Sequence, residues 1–500
     1  MNKLKEIGIA TEIKIIKTQG DIQDLSFDKM EGKGFFTKEI EDALLAQKID
    51  IAVHSHKDLP TTNPTGLIIA AVSDREDPSE IILINKNAVD EKQKFSLKKN
   101  AIVGTSSARR KSQLLSFRGD IEIKDLRGNV PTRIQKLRDK HYDAILLAYA
   151  GLERLELNVS DLHVEKLSPK EFISAPAQGT LAIQIRENDK ELFDHLQKLN
   201  NKQVAETIAV ERKILNLFEG GCQLPLGVYC EKESDENDEA KFKVWASKAD
   251  EWNRFPKLIY LESNKTEGLA EKIVNKINNI KPASVFITKD LKEKDYFLRS
   301  LTANGFTVAG KALIEIKKIP LKDFPKIDWI FFSSKNAVKY FFEQSPNISE
   351  VKYAVVGKAT ADALRKFGKR AEFIGYSTDT KLTGKQFASI VGSKIVLFPQ
   401  AKGSMRSIQK QFTNPKQVID LTVYETIKKN EEKIPSSEII VFTSPSNVEA
   451  FFEKNKITPE QKIVAMGNAT ANALEKFGVK KSKQPITFDD MGLVQAVYSL

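Results

Sequence analysis

The sequence predicts an α/β protein of several domains, on three observations. Strand-type and helical segments alternate from residue 10 to about 195, a small α+β pattern follows, and two segments beyond residue 283 repeat each other. Five hundred residues also exceed what one hydrophobic core usually serves.

In the first stretch the helical TKEIEDALLAQK precedes the strand-like IDIAVHS, and AIVGTSS precedes the helical ARRKSQLLSFR. IEIKDL precedes PTRIQKLRDK, which Pro131 opens, and YDAILLAY precedes AGLERL. Each strand therefore ends in a polar loop at a helix start, where free N–H groups and the helix dipole favour anions. After residue 200 come the helical NKQVAETIAVERKILNLF, the glycine-rich turn EGGCQLPLG and strands around KFKVWASKA, the α+β unit.

A boundary lies near NNIKPASVF. Beyond it FFSSKNAVKYFF matches FTSPSNVEAFF, and VVGKATADALRKFG matches AMGNATANALEKFG. Ser444 minus Ser334, Gly467 minus Gly357 and Thr470 minus Thr360 are each 110, a period that marks a duplicated domain rather than a solenoid.

Composition narrows the function classes. Hydrophobic residues at 41% and charged residues at 29% fit a globular chain. No signal-peptide h-region opens the sequence, and the longest apolar runs are about half of the roughly 20 residues a membrane helix needs. Cys222 and Cys230 are the only cysteines, too sparse for a disulfide framework or a four-ligand zinc site. The expectation is a cytoplasmic chain without a metal. A net charge of +11 favours polyanionic partners, and the absence of an aromatic stacking motif argues against nucleic acid.

Several clusters carry candidate chemistry. HSHKDLP ends a strand with Lys57 beside Asp58, and a carboxylate held there can stabilise a nearby positive charge or merely pair with the lysine to cap a turn. His54 and His56 alternate on that strand with no third ligand at a recognisable spacing, so a structural role is expected for at least one. GTSSARR supplies Thr105, Ser107, Arg109 and Arg110, RGNVPTR supplies Arg127 and Arg133, and AGLERL supplies Arg154. Five arginines at successive strand-to-helix junctions are expected to converge on one cleft and grip a ligand with many carboxylates. EGKGFFTKEI reads as a flexible turn, and Cys222 in EGGCQLP as either a displayed or a buried thiol.

With these residues assembled, the first 280 or so residues resemble the porphobilinogen deaminases, also called hydroxymethylbilane synthases. GKGFFTKEIEDALL, DIAVHSHKDLP, REDP, VGTSSARR, LRGNVPTR, AGLERL, AQG and EGGCQLPLG stand in that family's order and spacing. The resemblance implies two α/β domains similar to type II periplasmic binding proteins, residues 1–77 with 178–197 and residues 78–177. A small α+β domain over 198–282 completes the module. It implies that Cys222 carries a dipyrromethane primer through a thioether and that Asp58 is the catalytic carboxylate. Asp21, Ser55, Lys57, Thr105, Ser107, Arg109, Arg110, Arg127, Arg133 and Arg154 match residues around cofactor and substrate, and Lys33 and Phe36 match the lid. The family opens with a strand and helix bearing Arg-x-Ser-x-Leu-Ala, and this sequence begins after it, with MNKLKEIG reading as the end of that helix. A misplaced start codon is expected over a natural truncation, which would silence the deaminase.

Residues from about 283 to 500 resemble uroporphyrinogen-III synthase through the duplicated motifs and LTVYET. That family implies two flavodoxin-like α/β domains on two linkers, with repeat halves about 316–423 and 283–315 plus 424–500. Ser333, Ser334, Gly357, Thr360, Ser444 and Thr470 would cradle propionates or simply cap helices. Tyr424 would assist loss of a hydroxyl or pack within a linker. The joint expectation is a bifunctional, monomeric tetrapyrrole enzyme acting on small molecules, set against a polyanion-binding protein using the same cleft.

Overall fold

The computed structural model describes residues 2–18, 37–219, 223–234, 239–348, 350–375, 380–429 and 434–500. Asp21, Lys33, Phe36 and Cys222 lie outside the described residues. Among the described residues no helix is long and apolar enough to cross a membrane.

Among the described residues five sheets organise the chain. In the first, Leu181–Arg186 runs antiparallel between Ala52–Ser55 and Leu67–Val72. In the second, Glu80–Ile84 lies antiparallel between Ala144–Ala148 and His163–Leu167, and Ile102–Gly104 pairs parallel with Ala144–Ala148 and with Glu122–Lys124. EIILI and AILLA are hydrophobic almost throughout because helices cover both faces of this sheet, the pattern of a buried α/β strand. The helices Ala108–Phe117, Val130–Arg138 and Tyr149–Arg154 each follow a strand, so their starts gather at one edge of the sheet.

Two chain segments join these sheets, one near residues 73–79 and one near 168–180. They touch where Glu76 N donates to Gly179 O at 3.0 Å. A Cβ on Gly179 would stand 2.3 Å from Glu76 O at a left-handed φ of +91°, so only glycine fits between the two segments. The third sheet, Leu226–Ser234, Ala240–Lys248 and Lys257–Ser263, is an antiparallel meander covered by the helices Lys202–Leu217 and Leu269–Asn278.

Glu211 of the first of those helices ties the third sheet to both joining segments. Its buried carboxylate accepts from Arg75 Nη1 at 2.7 Å, from Ala177 N at 2.7 Å and from Cys230 N at 2.8 Å. A fully desolvated carboxylate needs this much compensation to stay charged.

The last two sheets share one topology. In the larger, Phe373–Ile374, Lys352–Val355, Trp329–Phe332, Val396–Ala401 and Val418–Lys428 run parallel, third-second-first-fourth-fifth in chain order, and Ile314–Lys318 pairs antiparallel on the edge. The smaller repeats that order with a bridge at Lys483, then Lys462–Ala465, Ile439–Phe442, Ser284–Ile287 and Thr307–Gly310. Its fourth and fifth positions are thus filled by strands that precede the first repeat in sequence. The fourth is pinned by parallel pairing of Phe286 with Ile440.

Candidate active sites

The loop after Ala52–Ser55 presents Lys57 and Asp58. His54 ends the strand buried, its Nε2 3.2 Å from Gln184 Oε1, and Gln184 in turn donates to Glu41. The chain then turns through the short 3₁₀ helix His56–Asp58. Arg212 of the third-sheet helix holds that turn, donating to His56 O at 3.0 Å, to Leu59 O at 3.3 Å and to Pro60 O. Nothing in the sequence pointed to Arg212, because its partners are carbonyls some 150 positions away. His56 is buried among Arg212, His54 and Arg75, neither ring nitrogen has a hydrogen-bond partner among the described residues, and burial with those charges pulls its pKa down to about 3. Among the described residues no group of His, Cys, Asp and Glu is placed to hold a metal.

Opposite this loop stands the helix Ala108–Phe117, whose Ser107 side chain caps it by accepting from Arg110 N. Thr105 is buried beneath, its hydroxyl accepting from Ser107 N at 3.4 Å. Arg109 and Arg110 were expected as open guanidinium forks, and the structure places them otherwise. Arg109 donates to Glu80 Oε1 and to Ile173 O, while Arg110 donates twice to Glu80 Oε2 and once to Leu146 O. Glu80 is 0% exposed, and although burial alone would raise its pKa, the charges of Arg110 and Arg109 hold it down to about 2. A carboxylate buried in the strand EIILI must be neutralised, so these two arginines are spoken for on most of their donors. The signal missed in the sequence is that one charged residue heading an otherwise apolar strand.

The remaining cations do gather with Asp58. Burial pulls the Lys57 ammonium down against the raising effect of Asp58, with Arg110 and Arg109 also acting on it. Arg133 is lowered to about 10 by burial and by Arg110 and Arg127, again against Asp58. Its Nε donates to Gly128 O at 2.6 Å, which orients the guanidinium. Arg154 stands apart, exposed, donating to Gly179 O at 2.6 Å with Glu76 as its charged neighbour. Ser55 is exposed at the strand end. Among the described residues Lys57, Arg109, Arg110, Arg127 and Arg133 thus outnumber the carboxylates Asp58 and Glu80, and that positive charge suits a ligand bearing several carboxylates.

The second candidate site lies where the repeated strands end. Ser334 caps the helix Lys335–Phe342, accepting from Ala337 N at 3.1 Å, and its hydroxyl lies 3.3 Å from Tyr424 Oη. Tyr424 is 8% exposed and lies against the ring of Tyr340, so it both packs and presents its hydroxyl to Ser334. In the other repeat Ser444 caps Pro445–Phe452, and Asn447 Nδ2 donates to Ser444 and Thr443 while Thr443 bonds Thr288. Gly357 and Gly467 begin matching helices, with Thr360 and Thr470 buried one turn in and Thr470 donating to Met466 O. Ser333 is exposed beside them. The tyrosine therefore marks one repeat, and the other closes on itself through Asn447.

Residues 1–194 match the family profile "Porphobilinogen deaminase, dipyromethane cofactor binding domain", and residues 295–495 match "Uroporphyrinogen-III synthase HemD". The chain is 47% identical over 232 residues to the porphobilinogen deaminase of Bacillus subtilis strain 168, covering 46% of this chain and 72% of the relative. It is 44% identical over 239 residues to that of Oceanobacillus iheyensis, covering 47% and 76%. Among solved structures, the uroporphyrinogen-III synthetase of Helicobacter pylori 26695 matches at 19% identity and a TM-score of 0.35, covering 44% of this chain and 99% of that one. That TM-score is too low for an argument, so the second module rests on its sequence match.

Proposed function

The chain belongs to the porphobilinogen deaminase family and carries a uroporphyrinogen-III synthase domain behind it, a bifunctional enzyme of tetrapyrrole biosynthesis, and from that premise we propose how its residues divide the work. Residues 1–77 with 178–197, 78–177 and 198–282 form the deaminase, and 283–500 the synthase. The deaminase condenses four porphobilinogens and one water, which supplies the terminal hydroxyl, into hydroxymethylbilane with release of four ammonia molecules. The synthase then inverts the last ring and closes uroporphyrinogen III with loss of water.

Cys222 is the attachment point of the dipyrromethane, which supplies the free pyrrole carbon to which the first porphobilinogen is joined. Arg127 and Arg133 hold acetate and propionate groups as bidentate partners, with Lys57 as a point charge and Thr105, Ser107 and Ser55 as hydroxyl donors. Arg109 and Arg110 act with Glu80 as the floor of that cleft, and Arg154 works from the joining segments. Asp58, carried on the turn that Arg212 clamps, faces the reacting pyrrole and stabilises the positive charge that develops as ammonia leaves the aminomethyl group. By the family resemblance Asp21 binds cofactor or substrate, and Lys33 and Phe36 serve as the lid. In the synthase, Tyr424 assists loss of the terminal hydroxyl by donating a hydrogen bond to it, with Ser334 orienting its phenol, while Ser333, Gly357, Thr360, Ser444 and Thr470 line the carboxylate cradle. The enzyme works in the cytoplasm as a monomer.

The observation that carries this reading is the charge interaction of Lys57 and Arg133 with Asp58, with Arg110 acting on both cations and Arg127 on Arg133. Mass spectrometry of the intact protein tests the attachment: a dipyrromethane adduct on the peptide containing Cys222 is expected, and an unmodified thiol in an enzyme that turns over porphobilinogen would sink it. Incubation with porphobilinogen followed by isomer analysis separates the halves, since type I product alone means a silent synthase.

A further inference from the structure

The helix Tyr296–Ala303 belongs to the synthase module, yet its exposed flank is occupied by the deaminase. The Tyr296 ring stacks on Phe117 at 5.0 Å with 20° between planes, and Ser116 and Ser300 both act on its buried hydroxyl. One turn on, Arg299 Nη2 reaches Leu115 O at 3.5 Å, and the guanidinium lies over the Phe255 ring, 5.0 Å from its centre. Leu115, Ser116 and Phe117 close the helix Ala108–Phe117 of the second sheet, and Phe255 precedes the last strand of the third. A Cβ on Gly119 would stand 2.9 Å from Arg299 Nη2, so the guanidinium lies directly against the turn that follows the helix.

The burial pattern makes this more than a surface touch. Phe117 packs against the core of the second sheet and also against a cluster that runs unbroken from the third sheet, through Trp245, Ile259 and Ile273, into the synthase at Phe297, Leu301 and Tyr498. The helix Asp490–Tyr498 packs on the strand Lys257–Ser263, and Lys276 donates to Ser499 O at 2.9 Å. Core residues shared across a boundary move together, because a close-packed interior does not shear without losing contacts along its whole length.

We propose that the synthase is a positioning element for the deaminase: Tyr296 and Arg299 lock the domain of the second sheet to that of the third. The opening that admits successive substrates is then left to the domain of the first sheet, swinging about residues 73–79 and 175–180. The helix that Tyr296 grips at one end carries Arg109 and Arg110 at the other, ten residues of stiff lever between the two enzymes.

Amide hydrogen exchange on the full-length protein tests this. In the double variant Tyr296→Ala, Arg299→Ala, exchange over residues 108–117 is expected to quicken about tenfold or more, while Tyr296→Phe, which keeps the stack, stays within about threefold of wild type. Equal protection in wild type and double variant would overturn the proposal, as would loss of protection in Tyr296→Phe as severe as in the double variant. Should the double variant fail to fold, the wild-type protein loaded with porphobilinogen decides. Residues 108–117 and 296–303 are expected to keep their protection while 52–58 and 175–180 change. Substrate-induced exposure of 296–303 would refute the lock.

Discussion

The first cleft faces its ligand with buried guanidinium and ammonium groups around Asp58, whereas the second offers hydroxyls and helix starts around Tyr424. The difference has a structural cost on one side only. Burying Arg109 and Arg110 required a fully buried Glu80 to neutralise them, and that carboxylate in turn depends on both. The second cleft uses neutral groups that are satisfied by neighbouring backbone, so it can be altered with little consequence for folding. A site that carries out several additions in succession benefits from a fixed electrostatic frame. A site that must bind one linear molecule and release a ring does not need one.

Glu80→Gln probes that contrast most strongly. It leaves two buried guanidinium groups uncompensated and should cost about 3–5 kcal/mol in chemical denaturation. A loss no larger than that of Ser334→Ala would erase the distinction between the clefts. Acid should act the same way. Glu80 titrates near 4.5 when unfolded and at about 2 in the fold, so its contribution is complete above pH 4.5 and disappears between there and pH 2.

Asp58→Asn comes next. It removes the charge proposed to stabilise the departing-ammonia step and should lower deaminase kcat by about 10²–10³ with the protein still folded. A variant retaining most of its kcat would transfer the role elsewhere. His56 gives a smaller effect of opposite sign. Its imidazole sits at about 3 in the fold against 6.5 unfolded, so it costs no stability from protonation above pH 6.5 and progressively more as pH falls towards 3. His56→Leu removes two unpaired buried nitrogens and should raise stability by about 1–3 kcal/mol while flattening that acid slope, as followed by thermal melts across pH. The smallest effect is expected at Tyr424→Phe. Loss of one hydroxyl contact worth about 1 kcal/mol should slow the synthase roughly fivefold and leave the deaminase rate unchanged. A deaminase that slowed as well would show the clefts to be coupled.

Much of this was legible locally. The loop HSHKDLP, the capped start of ARRKSQLLSF and the residues repeated at an interval of 110 are short patterns whose physics is contained within a turn or two. What could not be read are pairings across long stretches of chain. Arg212 on the carbonyls of residues 56–60, Glu211 on Arg75 and Ala177, and Glu80 under Arg109 and Arg110 are each fixed by tertiary packing rather than by spacing. The expectation of five open arginines failed for the same reason. Position at a strand-to-helix junction was visible for Arg109 and Arg110, but the carboxylate that claims them stands some 30 residues earlier.

The crossed-over strands of the smaller synthase sheet set a timetable for the newborn chain. Phe286 leaves the ribosome long before its partner Ile440, 154 residues later, is made. At the usual 5–20 residues per second that strand waits roughly 8–30 s without its neighbour. Throughout that interval the apolar face of SVFI has only Thr307–Gly310 beside it, and closing so long a loop adds to the entropy the sheet must overcome. The deaminase domains and the larger synthase sheet are complete in sequence by residue 428, so they can fold first and hold the unpaired strand in place. Chaperone demand in this enzyme should therefore concentrate on one segment, residues 284–310, and on the last stages of synthesis.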